Sequence, residues 1–409
     1  MASEKTPSIQ ELALAILQDE DFFGKVREAV RRGGLVGEVR NALAIYVIAM
    51  SSLLERPLNA IIKGPSSAGK NFLALRVLRL FPKTAIREIT SSSETAWNYS
   101  GDDFRHRIVY LQERNDASGA VHPVRLLISE NKLTRIVSVR EGGQWVKKEF
   151  VAEGPISAIS TSTRDRIEAD DETRHVSLWV DAPEDQTRRI VRRYVSPSVP
   201  LSDNDIEVWH EVYTLASRRI SVPIEFPDWF EKIADNVFVG DLRVRRYFPA
   251  FLEAVGTIAL IRSFREHPDD YESGESIPVA PADYGIATYI FEDVFVESLS
   301  RGEDESLETA KTIETIAASQ NDELVDADQL AKLLNISYDK ASAKLRSASE
   351  AGVIVQSNKP EKNNNKRYRA AKPPRFVPDP KEVAGFLRLK KPIEFIHPLT
   401  GKKLKFPGK

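Results

Sequence analysis

The segment from Leu58 to Phe72 constrains the fold of this chain most strongly. An apolar strand runs into Gly64-Pro65-Ser66-Ser67-Ala68-Gly69-Lys70-Asn71, and an apolar helix begins at Lys70. Glycines let backbone N–H groups close around phosphate oxygens, and the helix N-terminus adds a favourable dipole. The segment therefore predicts a P-loop that binds ATP, with Lys70 on the β and γ phosphates. The competing interpretation is a Gly-rich strand-to-helix turn with an exposed lysine.

The predicted magnesium site departs from the usual pattern at two positions. Asn71 follows the P-loop lysine, where a Ser or Thr hydroxyl usually binds Mg²⁺, although an amide carbonyl is also a hard oxygen ligand. An apolar strand from 107 to 111 ends in Gln112 and Glu113, and a P-loop enzyme needs an acidic group there. We expect Glu113 to polarise water and to share Mg²⁺ with Asn71 and Gln112, which replaces the usual Asp. An ordinary strand edge is the alternative.

The spacing of apolar residues changes along the chain. Residues 8–55 read as helical, and short apolar runs alternate with helical stretches between 58 and 180. This alternation predicts an α/β fold with a mostly parallel sheet between helices. Two β-rich stretches around Gly142 and Gly143 predict a hairpin over 134–151 that projects from this layer. Residues 203–300 read as helical again.

Composition excludes several kinds of site. The chain has 409 residues, enough for two or three domains, and contains no cysteine, so disulfides and thiolate metal sites are excluded. Its six histidines are scattered and form no paired metal-binding motif. No apolar run approaches the length of a membrane span and no signal sequence opens the chain, so we expect a cytoplasmic protein without a membrane partner.

The net charge of −2 conceals an uneven distribution. Residues 359–409 contain 15 Lys and Arg against 4 Asp and Glu, whereas the preceding residues contain 43 against 56. An acidic body followed by a basic end suggests a nucleic-acid partner for that end.

These motifs, in this order, resemble the AAA+ ATPases, and within them the minichromosome maintenance helicases and similar helicases of mobile genetic elements. The resemblance covers roughly residues 36 to 372. It implies a P-loop AAA+ fold with a helical lid, and a hairpin that points into a central DNA channel. Arg140, Lys147 and Lys148 would then face DNA. An edge hairpin with solubilising charges is the alternative.

The resemblance also implies further site residues. Thr161 or Thr163, at the end of an apolar strand, would be the sensor 1 residue that helps to orient the attacking water. Arg174 would be the arginine finger that reaches the γ-phosphate bound by a neighbouring subunit. Arg246, with Arg243 next, would be the sensor 2 residue in the lid. The alternatives are a surface salt-bridge cluster around Arg174 and a solvated basic face in the lid.

Residues 307–372 fit a winged helix, with Asp326 and Gln329 as a capping pair and a polar wing from 358 to 366. In a helix-turn-helix the second helix enters the major groove, so we expect it and the wing to contact DNA. A protein-binding winged helix remains the alternative. The predicted DNA-binding residues of this region are Lys340, Lys344, Arg346, Lys362, Lys366 and Arg367.

The expected organisation is an N-terminal helical region, an ATPase core, a helical lid, a winged helix and a basic tail (1–55, 56–200, 201–300, 307–372 and 373–409). The resemblance implies a DNA helicase or translocase that uses ATP and Mg²⁺, works as a hexameric ring, and supports replication of a mobile element or phage, with possible replication partner proteins. The alternative is an AAA+ initiator, helicase loader or DNA-binding regulator with weak or no hydrolysis, which Asn71 and Gln112 favour. A winged-helix transcription factor with a decayed ATPase is a third class.

Overall fold

The computed structural model divides the chain into two compact units, residues 1–294 with 377–409, and residues 295–376. The structure describes residues 7–89, 103–114, 121–141, 144–164, 167, 169–196, 199–239, 241–267, 271–272, 274–300, 309, 312–313, 315–317, 324–350, 354–357, 366–370, 375–387 and 392–407.

A five-stranded parallel sheet forms the centre of the first unit. In chain order its strands are β1 (Ala60–Lys63), β2 (Ile86–Ile89), β3 (Arg107–Leu111), β6 (Ile156–Ser162) and β7 (Val176–Trp179). Their order in the sheet is β2-β3-β6-β1-β7, so β1 lies between β6 and β7. Strands β1, β6 and β7 are buried along their whole length, as expected for parallel strands covered on both faces.

Helices precede, separate and follow these strands along the chain. They are α1 (Ile9–Gln18), α2 (Phe22–Arg32), α3 (Val39–Met50), α4 (Lys70–Leu78), α5 (Val121–Glu130), α6 (Ala169–Glu172) and α7 (Glu184–Val195), with a 3-10 turn at Ser51–Leu53. Helix α1 begins with a capping box, in which Ser8 Oγ accepts from the Glu11 N–H and the Glu11 carboxylate accepts from the Ser8 N–H. Helix α3 is buried from Ala42 to Met50 and serves as a core helix of the unit.

The predicted hairpin is confirmed. Strands β4 (Lys132–Glu141) and β5 (Gln144–Glu153) pair antiparallel from Lys132↔Glu153 to Glu141↔Gln144, slightly beyond the predicted 134–151. Leu133 and Ala152 at its base are buried in the core cluster that contains Leu127 of α5. Nearer the turn, Trp145 is 73% exposed. The hairpin is therefore anchored at its base and projects at its tip.

The lid region consists of α8 (Asp203–Ser217), β8 (Ile224–Glu225), α9 (Trp229–Ala234), α10 (Val244–Glu266), β9 (Ile277–Pro278) and α11 (Pro281–Ser300). By length and composition α10 is apolar enough to cross a membrane, and it alone passes this test within the described residues. Since 67% of its most apolar stretch is buried, α10 is a core helix of this fold.

The second unit contains α12 (Ala327–Leu334), α13 (Tyr338–Glu350), β10 (Ile354–Gln356) and β11 (Tyr368–Ala370), the last two paired antiparallel. Asp326 and Gln329 form the predicted capping box. Inward-facing Leu330, Ala341 and Leu345 belong to one buried cluster. The elements follow the order expected of a winged helix, which stays a prediction because most of the wing lies outside the described residues.

The basic tail expected over 373–409 needs correction, because residues 377–409 belong to the first unit. They form α14 (Pro380–Phe386) and an antiparallel pair, β12 (Ile393–Ile396) and β13 (Lys403–Phe406). Ile393 and Phe395 are buried and pack with Ile286 and Tyr289 of α11. The high Lys content hid this alternation of buried apolar residues.

Candidate nucleotide-binding site

The P-loop adopts a backbone that needs glycine. Gly64 directly follows β1 with φ of 149°, and a Cβ there would lie 2.4 Å from the Val180 carbonyl oxygen. Gly69, with φ of 89°, caps the N-terminus of α4, and Ser67 also has a positive φ of 64°. The loop thus turns tightly between β1 and α4, as a phosphate-binding loop requires.

Lys70 is folded back onto its own loop. Its Nζ donates to the carbonyl oxygens of Gly64 at 2.8 Å and Pro65 at 2.7 Å, and the residue is buried. Burial lowers the pKa of Lys70, and the negative charge of Glu113 opposes that shift. Phosphate oxygens entering the loop would replace the two carbonyls as partners of the ammonium group.

A cavity of about 290 Å³ lies beside the P-loop. The sequence-predicted residues Glu113, Thr161 and Thr163 line it together with Lys70, although they come from three different parts of the chain. The described lining residues are Ser66, Ser67, Gly69, Lys70, Asn71, Phe72, Glu113, Thr161, Ser162 and Thr163. The carboxyl ends of β1, β3 and β6 bring these residues to one edge of the sheet.

Hydrogen bonds connect the residues of this cavity. The Glu113 N–H donates to Thr161 Oγ1 at 3.0 Å, and Glu113 has a positive φ of 56°. Thr161 Oγ1 donates to Asn71 Oδ1 at 2.7 Å, and the Tyr110 hydroxyl approaches the same oxygen at 3.4 Å. Burial raises the pKa of Tyr110, so it stays a neutral donor. The side chain at the magnesium-ligand position is therefore held by two hydroxyl groups.

The predicted role of Gln112 does not agree with this geometry. Gln112 N–H donates to the Ile89 carbonyl at 3.2 Å, and its side chain is not among the described residues that line the cavity. Within the described residues no group of three or more His, Asp or Glu side chains is placed to hold a metal ion. Of the three predicted magnesium ligands, Glu113 and Asn71 line the cavity.

Arg174 lies away from this cavity. It occupies the turn between α6 and β7, where the Arg174 Nε donates to Ser129 Oγ at 2.8 Å. The next residues start β7, and Val176 N–H donates to the Asn59 carbonyl just before β1. The P-loop follows the opposite end of β1, about 10 Å further along the strand. Arg174 is therefore placed at the edge of the sheet where strands begin.

The two lid arginines lie with the Arg174 turn. Arg246 Nη1 donates to Thr173 Oγ1 at 2.5 Å. Arg243 forms a bidentate pair with Asp241, in which Nη2 donates to Oδ2 at 2.6 Å and Nε donates to Oδ1 at 3.1 Å. Burial acts to lower the pKa of Arg243, but the bonds to Asp241 outweigh it and raise the pKa. Neither arginine is among the described lining residues of the P-loop cavity, and their sensor 2 role stays a prediction.

The candidate DNA-binding residues are largely exposed. In the hairpin, Arg140 and Lys147 are exposed, and the side chain of Lys148 lies outside the described residues. In the second unit, Lys340, Arg346 and Lys366 are exposed and Lys344 is half-buried. Arg367 donates to the Leu324 carbonyl, and Lys362 lies outside the described residues.

Sequence patterns did not reveal a buried ion-pair cluster behind the cavity. Asp171 binds Arg114 and Arg125, and the exposed fractions of the Arg114 and Asp171 side chains are 6% and 2%. In the sequence Asp171 lies in a run of charged residues that reads as a solvated surface. Only the position of Arg114 directly after Glu113 hinted at a role near the site.

The sheet order, the P-loop after β1, the hairpin between β3 and β6, and the helical lid define a P-loop AAA+ ATPase fold, which confirms the predicted fold class. No protein-family model matches the sequence, and no curated protein matches it.

Solved structures that are similar to this chain share little sequence with it. A candidate ATPase from Cytophaga hutchinsonii is 11% identical over 68% of this chain and 87% of that one, with a TM-score of 0.40. A full-length MCM homolog from Methanopyrus kandleri is 14% identical over 72% of this chain and 63% of its own, with a TM-score of 0.39. The Aeropyrum pernix Orc1 protein, solved in complex with DNA, is 12% identical over 86% and 92%, with a TM-score of 0.28.

Proposed function

We propose that this chain is an ATP-dependent DNA helicase or translocase that works as a hexameric ring in the cytoplasm, in replication of a mobile element or phage. The observation that carries the proposal is that the predicted hydrolysis residues lie in two separate places. Lys70, Glu113 and Thr161 meet in one cavity, whereas Arg174 lies at the other edge of the same sheet. A hydrolysis site of this kind is completed by a second subunit.

The residues of the cavity fit ATP with Mg²⁺. The P-loop N–H groups and Lys70 would bind the phosphates, and Mg²⁺, when bound, neutralises charge on them. Glu113 and Asn71 would hold the ion, since both offer hard oxygen ligands and Mg²⁺ keeps several waters as further ligands. Glu113 would also polarise the attacking water, and Thr161 or Thr163 would orient it; all three line the cavity.

The Arg174 turn would serve the nucleotide of the neighbouring subunit. A guanidinium group stabilises charge that develops on the transferred phosphoryl group. Because Arg246 lies beside Thr173, both arginines would face that neighbour. This arrangement makes hydrolysis depend on assembly.

DNA would be bound by the hairpin and by the second unit. Arg140 and Lys147 lie exposed on either side of the hairpin turn, next to an exposed Trp145 whose ring can stack on a base. In the second unit, Lys340 and Arg346 are exposed on α13, the second helix of the proposed helix-turn-helix.

Mixing of inactive subunits tests the shared site. Arg174→Ala and Lys70→Ala chains should each lose ATP turnover as pure assemblies. A mixture should recover part of it, because some interfaces pair an intact P-loop with an intact arginine. Arg105→Ala, which removes an exposed arginine paired with Asp103, is the matched control and should behave as the native chain. Mixtures that assemble but show no recovery would remove the support for a shared site.

An AAA+ initiator, helicase loader or DNA-binding regulator with weak or no hydrolysis is the second candidate. It is favoured by the bond between Thr161 and Asn71 and by the position of Gln112 outside the cavity lining, because both weaken the magnesium site. ATP turnover in the presence of Mg²⁺, with and without single-stranded DNA, separates the two. Tight ATP binding with no turnover under either condition would support the regulator.

A further inference from the structure

A buried aspartate behind the nucleotide cavity joins three segments of the first unit. The Asp171 carboxylate accepts hydrogen bonds from Arg114 and from Arg125, whose Nη2 lies 2.7 Å from Oδ2. Its side chain is only 2% exposed. Separating a buried carboxylate from its guanidinium partners leaves uncompensated charge in the interior, so the three groups move together.

Arg114 connects Asp171 to the predicted hydrolysis site. It follows Glu113 directly, and its N–H donates to the Thr161 carbonyl at 2.7 Å. The Glu113 N–H donates to the hydroxyl of the same threonine. A displacement of Glu113 and Thr161 on nucleotide binding would therefore move Arg114 and, through it, Asp171.

Arg125 connects Asp171 to the hairpin. It lies on α5, which ends at Glu130, and a single residue separates this helix from β4. Leu127 of α5 is buried in the same cluster as Leu133 and Ala152 at the base of the hairpin. A shift of α5 would therefore reach the base of the hairpin through packed side chains.

The backbone of Asp171 connects it to Arg174. The Asp171 carbonyl accepts the Arg174 N–H at 3.1 Å, and His175 Nδ1 lies 2.7 Å from the same oxygen. Because a carbonyl oxygen only accepts, His175 Nδ1 carries the proton. The turn that holds Arg174 is thus attached to the residue that binds Arg114 and Arg125.

We propose that Asp171 is a positioning residue that couples the nucleotide cavity to the hairpin and to the Arg174 turn. The proposal rests on the proposed function, since it takes the cavity to bind ATP and the hairpin to bind DNA. Asp171 touches neither ligand. It transmits a change at Glu113 and Thr161 along two branches, one through Arg125 to α5 and one through its own backbone to Arg174.

Hydrogen–deuterium exchange of the full chain with and without ATP tests the two branches separately. In the native chain ATP should slow exchange in the P-loop and change exchange in both 132–153 and 169–176. Asp171→Asn should keep the P-loop effect and lose both distant effects. Arg125→Met should lose the hairpin effect and keep the one at 169–176. Arg31→Gln, which changes an exposed arginine paired with Glu28 on α2, is the control and should match the native chain.

The outcomes distinguish this inference from the proposed function. Absence of P-loop slowing in the native chain would overturn ATP binding and this coupling together. P-loop slowing without distant changes, or distant changes that persist in Asp171→Asn, would overturn the coupling alone. If circular dichroism shows that Asp171→Asn is unfolded, Arg125→Met decides, and an unchanged hairpin response to ATP would then overturn the coupling.

Discussion

Thr161 Oγ1 donates to Asn71 Oδ1 at 2.7 Å, so the predicted water-orienting residue is bonded to the side chain at the magnesium-ligand position. For Thr161 to orient water and for Asn71 to bind Mg²⁺, this hydrogen bond must break, or the Asn71 oxygen must accept it while it binds the ion. The structure therefore holds these two candidate site residues in a mutual hydrogen bond.

Asn71→Thr should raise ATP turnover. The substitution gives Mg²⁺ a hydroxyl ligand and releases Thr161 from the amide, and an increase of about tenfold corresponds to ~1.4 kcal/mol of transition-state stabilisation. Phosphate release at saturating Mg²⁺ measures it. Asn71→Ala, which offers no oxygen ligand, is the control and should raise the Mg²⁺ concentration needed for half-maximal turnover. Equal turnover in Asn71→Thr and the native chain would argue that Asn71 does not limit hydrolysis.

Lys70→Ala should weaken ATP binding by about 100-fold, or ~2.7 kcal/mol, because the charge-assisted contacts to phosphate are lost. Titration with a fluorescent ATP analogue measures the affinity. Lys83→Ala removes an exposed lysine beyond the end of α4 and should leave the affinity unchanged. An unaltered affinity in Lys70→Ala would contradict the P-loop interpretation.

Arg140→Ala combined with Lys147→Ala should weaken binding of single-stranded DNA and make it less sensitive to salt. Each lost phosphate contact lowers the slope of log affinity against log salt by about 0.7 for single strands, so the pair should lower it by about 1.4. Fluorescence anisotropy across a salt series measures this slope. Lys25→Gln, an exposed lysine paired with Asp19, should keep the native slope. The same slope in the double variant would exclude the hairpin from phosphate contact.

Acid should destabilise the first unit through His175. Burial, with the nearby charge of Arg114, lowers the pKa of His175 to about 4 from an ordinary 6.5. The unfolded chain therefore takes up the proton first, so this stabilisation is complete above pH 6.5 and is lost as the pH falls towards 4. Over this pH range the free energy of unfolding falls by about 3 kcal/mol.

The comparison for this effect is His175→Asn, whose amide N–H can replace the Nδ1–H donor. Urea unfolding at a series of pH values should show a shallower decline between pH 6.5 and 4 in His175→Asn than in the native chain. His122→Asn changes an exposed histidine and should decline as the native chain does. Identical declines in all three proteins would contradict the assignment to His175.

Gly285 and Phe395 should show coupled stability effects. A Cβ at Gly285 would lie 2.4 Å from the Phe395 ring, so Gly285→Ala should cost about 1 to 3 kcal/mol through overpacking. Phe395→Ala should cost about 3 to 5 kcal/mol through lost burial and a cavity. The double variant should cost less than the sum, since the new methyl group occupies part of the vacated space. Strict additivity in urea unfolding would indicate that the two sites do not touch.

Local patterns in the sequence predicted the parts of the site that depend on short segments. A strand, a glycine loop and a helix identified Lys70, and the end of an apolar strand identified Glu113. The family resemblance, applied to the end of another apolar strand, identified Thr161, and all three residues line one cavity. The sequence predicted less well how residues from distant segments are arranged relative to each other. Whether Arg246 turns towards its own P-loop or towards Thr173 depends on how α10 docks, and no residue spacing encodes that.

The sequence also did not predict which charged side chains are buried. Asp171 lies among charged residues whose pattern indicates a surface, yet two arginines from distant segments enclose it. In the same way, the lysines of this region led to the prediction of a basic tail over 373–409, although Ile393 and Phe395 are buried and pack against α11. Average charge is a weak guide where a few apolar side chains determine the packing.

The return of residues 377–409 to the first unit has a topological consequence. The Lys403 ammonium lies 3.2 Å from the Glu20 carboxylate, so the end of the chain is attached near its beginning. The second unit, 295–376, is therefore an insertion that is tethered at both of its ends. A single proteolytic cut on one side of this unit would leave it connected through the other, so its release from the chain would need two cuts.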